Sequence, residues 1–154
     1  AVGEYYGDGS VSGSGMAYVF QGGVSGFSGA YTAGDDATYT IEGETQYDYF
    51  GRAMTIGDLN DDGQDDLIVG AGGHDGGGTT AGATYVFYGP LTGDLSGADA
   101  DAVITGGATY DYTAYYDAGQ LGDFDGDGVN DLALGSYGVN SYAGQVNIWP
   151  GGAE

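Results

Sequence analysis

Short clusters of Tyr, Val, Ile, Leu and Phe alternate with glycine-rich turns along the whole chain. Glycine breaks helices, whereas aromatic and β-branched residues favour strands, so this pattern predicts a β protein. Four strand-like runs follow one another in a fixed order, and the clearest copy comprises residues 53–56, 67–71, 83–88 and 102–105. An acidic loop separates the first run from the second. The third run is aromatic and apolar at successive positions, which predicts that both of its faces are covered.

The order of runs repeats with a period of about 65 residues. Residues 57–67 recur as residues 122–132, and the aromatic run occurs three times, at residues 15–22, 82–89 and 144–151. The predicted fold is therefore all-β, with four-stranded antiparallel propeller-type blades, about two and a half per chain, and hairpin loops between strands. A β-sandwich contains similar strands, but it does not place an acidic loop at the same point of every repeat.

We interpret the chain as a single array of these repeats. Residues 1–46 are predicted to form a partial first blade, residues 47–109 a complete blade, and residues 110–154 a partial last blade. Propellers need four or more blades to close, and stacked repeats usually need three for stability. We therefore expect the chain to associate with other copies of itself. Head-to-tail contacts give a ring if the rotation closes and a filament if it does not, and the filament is the favoured expectation.

The two acidic loops carry oxygen-bearing side chains at positions 1, 3, 5 and 9, glycine at position 6, and a backbone carbonyl at position 7 that could also ligate. The predicted metal ligands are Asp58, Asn60, Asp62, Gln64 and Asp66 in the first loop, and Asp123, Asp125, Asp127, Val129 and Asp131 in the second. This alternating spacing suits a hard cation of the size of Ca²⁺, so two Ca²⁺ ions per chain are predicted. Position 12 is Val69 or Leu134 rather than the Glu of an EF-hand, which indicates a β-hairpin loop.

Two other interpretations of the loops are less favoured. Asp, Asn and Gly also form good turns without any metal, but two loops in identical register indicate more than a turn. Mg²⁺ prefers a rigid octahedron that keeps several waters, which suits this spacing less well. Because the crowded carboxylates would repel one another without an ion, the calcium is expected to be structural.

Composition narrows the classes of partner. The chain has 23 acidic residues, a single Lys or Arg and a net charge of −22, so it lacks the basic patch that nucleic acids or anionic membranes require. No apolar run is long enough to span a membrane, and no cysteine is available for a disulfide or a thiolate site. The first residues are not a basic-then-apolar leader, so any signal peptide has been removed from this chain or was never there. The expected location, secreted or on the cell surface, follows from the charge and from the resemblance described below.

These loops and their flanking strands resemble the FG-GAP repeat, found in integrin α-subunit propellers and in many microbial surface proteins, and the related VCBS-type repeats. The resemblance rests on Phe50-Gly51, residues 57–66 and the glycine-containing run at residues 67–72. The second copy departs from the pattern, with Tyr115-Tyr116 in place of Phe-Gly. The resemblance implies a calcium-stabilised β-propeller that serves extracellular adhesion, assembly or display.

Several residues outside the loops invite functional interpretations. His74, the only histidine, lies in a glycine-rich connection and is interpreted as solvated. Arg52 is expected to pair with a carboxylate. The Tyr-Asp-Tyr triplets at residues 47–49 and 110–112 could form a sugar-binding surface, although a packed loop is the favoured interpretation. Without a nucleophile–histidine pair, no catalytic residue is predicted, and a glycosidase is disfavoured because the regularly spaced carboxylates are assigned to calcium.

The sequence therefore predicts a non-enzymatic, extracellular or cell-surface structural protein, stabilised by calcium and self-associating through its incomplete terminal blades into a filament or other surface polymer. The alternative is an adhesion or carbohydrate-binding propeller module that is part of a larger protein, and a third interpretation is an accessory domain of an enzyme. The expected partners are other copies of the chain, with a glycan or a surface protein as a further ligand class.

Overall fold

The computed structural model describes residues 1–23 and 29–152, and its regular structure is almost entirely β-strand. Residues 24–28 and 153–154, which belong to the predicted first and last segments, lie outside the described residues. The strands are β1 (Val2–Glu4), β2 (Met16–Val19), β3 (Tyr39–Glu42), β4 (Phe50–Gly57), β5 (Asp66–Ala71), β6 (Ala83–Phe87), β7 (Leu95–Ser96), β8 (Ala102–Thr105), β9 (Gln120–Gly122), β10 (Asp131–Ser136) and β11 (Gln145–Trp149). Short helical turns occur at α1 (Ala33–Asp36), Gly97–Asp99 and α2 (Val139–Tyr142).

The central sheet has the strand order β4-β5-β6-β8, and all three of its pairings are antiparallel. Its strands coincide with the four predicted runs, although β4 begins three residues earlier than expected. The hairpin between β4 and β5 contains the first acidic loop. The predicted all-β fold with propeller-type blades is confirmed.

The two outer sheets differ from the central one. The first has the order β1-β2-β3-β7, and its fourth strand, β7, is a two-residue strand that runs parallel to β3. This strand belongs to the middle segment in sequence, so one sheet draws on two predicted segments. The third sheet has the order β9-β10-β11. The division into repeats at residues 46/47 and 109/110 stays a prediction.

Two apolar clusters fill the spaces between neighbouring sheets. In β5, Leu67 and Val69 face the cluster shared with the first sheet, while Ile68 faces the cluster shared with the third sheet. Because side chains alternate across a strand, both faces of the central sheet are covered. All residues of β5 and β6 are buried, and for β6 this confirms the prediction that both faces of the aromatic run are covered.

Successive sheets are also joined by backbone hydrogen bonds that recur in both junctions. Phe50 N–H donates to the Ser14 carbonyl at 3.1 Å, and at the next junction Thr113 N–H donates to the Ala81 carbonyl at 2.9 Å. Gly82 has a positive φ of 79°, and a Cβ atom there would overlap the backbone of Thr113. Only glycine suits this close approach of two chain segments. None of the helices in the described ranges is both long and apolar enough to cross a membrane.

Candidate metal centres

The first acidic loop connects β4 to β5 and is organised by its own carboxylates. The Asp58 carboxylate accepts the N–H groups of Asp62 and Gly63 at 3.2 and 2.9 Å. The Asp62 carboxylate accepts Gln64 N–H at 2.8 Å. Asp66, which is fully buried, closes the loop by accepting Leu59 N–H at 2.8 Å. These bonds fold the loop so that its side-chain oxygens lie on the inside of the turn.

The second loop, between β9 and β10, repeats this arrangement. The Asp123 carboxylate accepts Gly126 N–H at 2.6 Å and Gly128 N–H at 3.0 Å. Asp127 accepts Val129 N–H at 2.8 Å, just as Asp62 accepts Gln64 N–H. Asp131 is 2% exposed and accepts Phe124 N–H at 2.8 Å. The bonds from positions 2, 6 and 7 are the same in the two loops, whereas the other bond to the position-1 carboxylate comes from position 5 in the first loop and from position 4 in the second.

Three acidic side chains converge in the second loop. One carboxylate oxygen from each of Asp123, Asp125 and Asp131 lies within 4.8 Å of the other two. Among the described residues, no other group of three acidic or histidine side chains converges as closely. In the first loop the third position is the neutral Asn60, whose Oδ1 accepts Asp62 N–H at 3.1 Å. An all-oxygen set of this kind matches what a hard divalent cation requires.

Two positions in each loop adopt a left-handed backbone. At position 6, Gly63 and Gly128 have φ of 84° and 97°, and at position 4, Asp61 and Gly126 have φ of 59° and 86°. Asp tolerates this region better than most residues with a side chain, because its short polar group can bond locally. The glycine at position 6 is therefore favoured by its left-handed backbone conformation. Lack of space is not the reason, because a Cβ atom there would meet no neighbour.

The two loops also contact each other. The Asn130 side-chain amide, in the second loop, donates a hydrogen bond of 2.8 Å to the backbone carbonyl of Asp58 in the first. The Leu59 carbonyl accepts Gly152 N–H at 3.0 Å, and Asp131 accepts Gly151 N–H at 3.1 Å. The sequence did not predict this contact, because it arises from the stacking of neighbouring sheets.

The structure places all ten predicted ligand residues in the two loops or at the start of the following strand. Gln64 and Val129, predicted to ligate through their carbonyls, use their N–H groups to bond the carboxylates at position 5. Their assignment as ligands, like that of the other eight residues, stays a prediction.

Asp48 is a buried acid that the sequence did not single out. It is 3% exposed, and its Oδ2 atom has no hydrogen-bond partner. Burial, together with the charges of Asp75 and Glu44, raises the pKa of Asp48 to about 7, against a hydrogen bond from Thr45 that lowers it. The equivalent residue of the next repeat, Asp111, instead accepts Ala108 N–H at 2.8 Å. Because both residues sit in identical Tyr-Asp-Tyr triplets, no local signal distinguishes them.

The expectation that Arg52 pairs with a carboxylate is wrong. Its guanidinium carbon lies 4.2 Å from the centre of the Tyr115 ring and 5.1, 5.3 and 6.0 Å from those of Tyr5, Tyr116 and Tyr49. Within the described ranges it forms no ion pair with a carboxylate. Aromatic faces carry negative potential and attract a cation, and here four rings converge on one guanidinium.

The chain is similar to a known repeat family and to several known proteins. The model of the FG-GAP repeat matches residues 50–87, which contain β4, the first acidic loop, β5 and β6. Integrin alpha-5 of Xenopus laevis is 37% identical over 125 residues, and human integrin alpha-IIb is 34% identical over 122 residues; each alignment covers 75% of this chain. A mouse phosphatidylinositol-glycan-specific phospholipase D is 30% identical over 141 residues, covering 80% of this chain.

The chain spans only a small part of these relatives, 12% of each integrin subunit and 15% of the phospholipase. The similarity therefore extends over a fraction of each relative and not over the whole of any of them. The match at residues 50–87, the integrin relatives and the antiparallel four-stranded central sheet agree with one another. The chain contains an FG-GAP repeat at residues 50–87, and its sheets are integrin-like propeller blades.

Proposed function

We propose that the chain is a calcium-stabilised structural module of an extracellular β-propeller assembly, with one Ca²⁺ bound in each acidic loop. The observation that carries this proposal is the convergence of Asp123, Asp125 and Asp131 to within 4.8 Å in a loop whose hydrogen bonding is repeated in the first loop. Carboxylates this close repel one another unless a cation or protons neutralise them. The described residues hold no basic side chain near these acids.

The donor set favours calcium over other common metals. Carboxylate, amide and backbone oxygens suit Ca²⁺ or Mg²⁺, whereas zinc sites use cysteine and histidine, of which the chain has none and one. The first loop would bind through Asp58, Asn60, Asp62, Gln64 and Asp66, and the second through Asp123, Asp125, Asp127, Val129 and Asp131. A bound Ca²⁺ would supply positive charge that ties each loop to its two flanking strands.

The direct test counts the ions bound. Isothermal titration calorimetry with CaCl₂ is expected to give two ions per chain for the native protein and one each for Asp58→Asn and Asp123→Asn. Asp61→Asn is the matched control, because Asp61 lies in the first loop, is exposed and occupies a position that is not a predicted ligand. A stoichiometry of two for both ligand variants would contradict the assignment.

Self-association is the second part of the proposal, and the exposed face of the third sheet supports it. Val146 and Ile148 of β11 are 68% and 53% exposed, and Phe124 nearby is 52% exposed. In the central sheet, by contrast, β6 is buried on both faces. We propose that this open apolar face docks a blade of a second copy, so that copies stack head to tail into a filament or ring.

Solution mass, measured by light scattering after size exclusion, tests this association. We expect calcium-loaded protein to be larger than a monomer, and Val146→Glu with Ile148→Glu to be monomeric with unchanged calcium stoichiometry. A native protein that is a monomer in calcium would refute self-association. That result would favour the alternative, an adhesion or carbohydrate-binding module of a larger protein, in which the same face packs on another blade of its own chain.

A non-catalytic role and an extracellular or cell-surface location complete the proposal. Calcium is plentiful outside cells, and a surface with a net charge of −22 stays soluble in salt-rich surroundings. The relatives include two integrin subunits and a phospholipase D, and the aligned stretch is 12–15% of each of them, so the similarity supports a shared scaffold rather than a shared reaction.

A further inference from the structure

A group of stacked tyrosine rings lies beside the third sheet, away from both acidic loops. We call it the tyrosine ladder, and it consists of Tyr110, Tyr112, Tyr116, Tyr137 and Tyr142. The rings of Tyr112 and Tyr137 lie 4.8 Å apart with 7° between their planes. Tyr116 and Tyr142 stack with Tyr137 at 5.6 and 6.2 Å, and Tyr110 stacks with Tyr112 at 5.9 Å. The rings therefore support one another as a rigid platform.

The tyrosine ladder is not part of the apolar core. Tyr116 is 71% exposed, Tyr142 68% and Tyr110 51%. Rings stacked for packing alone would be expected inside the protein, where their area is removed from water. Exposed tyrosines that hold one another in place offer a large contact area at low cost in conformational entropy, which is the property of a binding surface.

A cavity of about 490 Å³ opens beside the ladder. Its walls include Tyr112, Tyr115, Tyr116 and Tyr137, with Asp117 and Gln145 supplying polar groups at the edge. Small-molecule sites are typically clefts of roughly 300–1,000 Å³ with apolar walls and a few polar groups, so both size and lining suit a ligand of one or two rings.

The charges around the cavity restrict the class of ligand. A protein of net charge −22 repels anions. A cationic ligand is disfavoured beside Tyr115 and Tyr116, because the Arg52 guanidinium lies 4.2 Å from the Tyr115 ring centre and 5.3 Å from that of Tyr116 and would repel it. Burial and the neighbouring tyrosines raise the pKa of Tyr137 to about 12, so its hydroxyl remains a neutral donor and acceptor. What remains is a neutral ligand with an apolar face and a hydrogen-bonding rim.

We propose that the cavity beside the tyrosine ladder is a binding site for a neutral carbohydrate. The C–H face of a pyranose ring packs against the exposed part of the Tyr116 side chain, and the sugar hydroxyls bond to the Asp117 carboxylate and the Gln145 amide. The Asp117 carboxylate already accepts bonds from Gly119 and Gln120, but its two oxygens retain capacity for more. This site goes beyond the proposed structural role. Val146 lines the cavity and also belongs to the proposed docking face, so sugar binding is expected to compete with self-association.

The test uses three neutral oligosaccharides, cellohexaose, mannohexaose and chitohexaose, with saturation-transfer NMR and calorimetry in calcium-containing buffer. At least one is expected to bind, with affinity about tenfold weaker in Tyr116→Ala and nearly unchanged in Tyr116→Phe, which keeps the ring. Tyr47→Ala is the matched control, because Tyr47 is 58% exposed, belongs to an equivalent triplet and does not line the cavity.

Three results would overturn the inference. These are the absence of binding by all three sugars, equal binding by Tyr116→Ala and the native protein, and binding of an oligo-arginine peptide at Tyr116 in place of any sugar. Calcium stoichiometry and thermal stability are measured on the same samples. If the protein binds two calcium ions but no sugar, only the proposed carbohydrate site is refuted. If it binds sugar but no calcium, only the proposed structural role of calcium is refuted.

Discussion

Replacement of the buried Asp48 by Asn is expected to remove the pH dependence of stability that this one residue imposes. The pKa of Asp48 is about 7 in the folded protein, against an ordinary value of 3.8 that applies once the chain is unfolded. The unfolded state therefore releases the proton more readily than the folded state does. The penalty on folding is absent below about pH 4, grows as the pH rises, and is complete above about pH 7.

The magnitude follows from the size of the pKa shift. A difference of about three units corresponds to about 4 kcal/mol of unfolding free energy, at about 1.4 kcal/mol per unit. Asn has nearly the same shape as Asp but cannot ionise, so Asp48→Asn should lack the penalty. The stability of the variant relative to the native protein should rise by about 4 kcal/mol between pH 4 and pH 8.

Urea unfolding at a series of pH values, with calcium at saturation, measures this difference. The acids of the two loops also titrate, but they are common to both proteins and cancel in the comparison. Asp111→Asn is the matched control, since Asp111 holds the same place in the next repeat and its carboxylate accepts a backbone N–H. If the relative stability of Asp48→Asn is the same at both ends of the pH range, or if Asp111→Asn shows an equal rise, the argument from burial fails.

Three further predictions concern the metal loops, the core and the single cation. Asp123→Ala should lower the melting temperature in calcium but have little effect in chelator, because a ligand bound at a hundredfold excess over its dissociation constant stabilises by about 3 kcal/mol; calorimetric scans that shift equally in both buffers would count against calcium. Ile68→Ala, a fully buried change between the second and third sheets, should cost about 2–5 kcal/mol in urea unfolding, whereas Ile148→Ala at an exposed position should cost much less. Arg52→Gln should cost about 1–2 kcal/mol and Arg52→Lys less, and equal losses would show that cation–π attraction is not the cause.

The repeated elements could be predicted from sequence because they depend on local chemistry. β5 and β6 are mostly apolar, with Asp66 and Thr84 as the polar exceptions, and the acidic loops place glycine and carboxylates where the turn requires them, so strands, hairpins and loops follow from short stretches of chain. Contacts between repeats could not be predicted in this way. The pairing of β7 with β3, the bond from Asn130 to Asp58 and the burial of Asp48 all depend on how sheets stack.

The position of Arg52 shows the same limit. A lone cation among 23 acids is expected to find a carboxylate, and only the stacking of β4 beside the next repeat reveals that tyrosine rings surround it. The exposure of β11 is the opposite case. Its apolar residues resemble those of β6 in sequence, yet Val146 and Ile148 face outwards, because a strand is buried only where another layer lies upon it.

Because the only Lys or Arg residue lies in β4, limited proteolysis can measure the local opening of this strand. Trypsin cleaves after Lys and Arg, so the bond that follows Arg52, inside β4, is the sole tryptic site in the chain. While β4 is paired in the sheet and the tyrosines cover the guanidinium, trypsin cannot bind the segment around Arg52 as an extended substrate. Cleavage into two pieces therefore measures how often this strand leaves the sheet, and its rate in calcium and in chelator gives the opening equilibrium at one defined peptide bond.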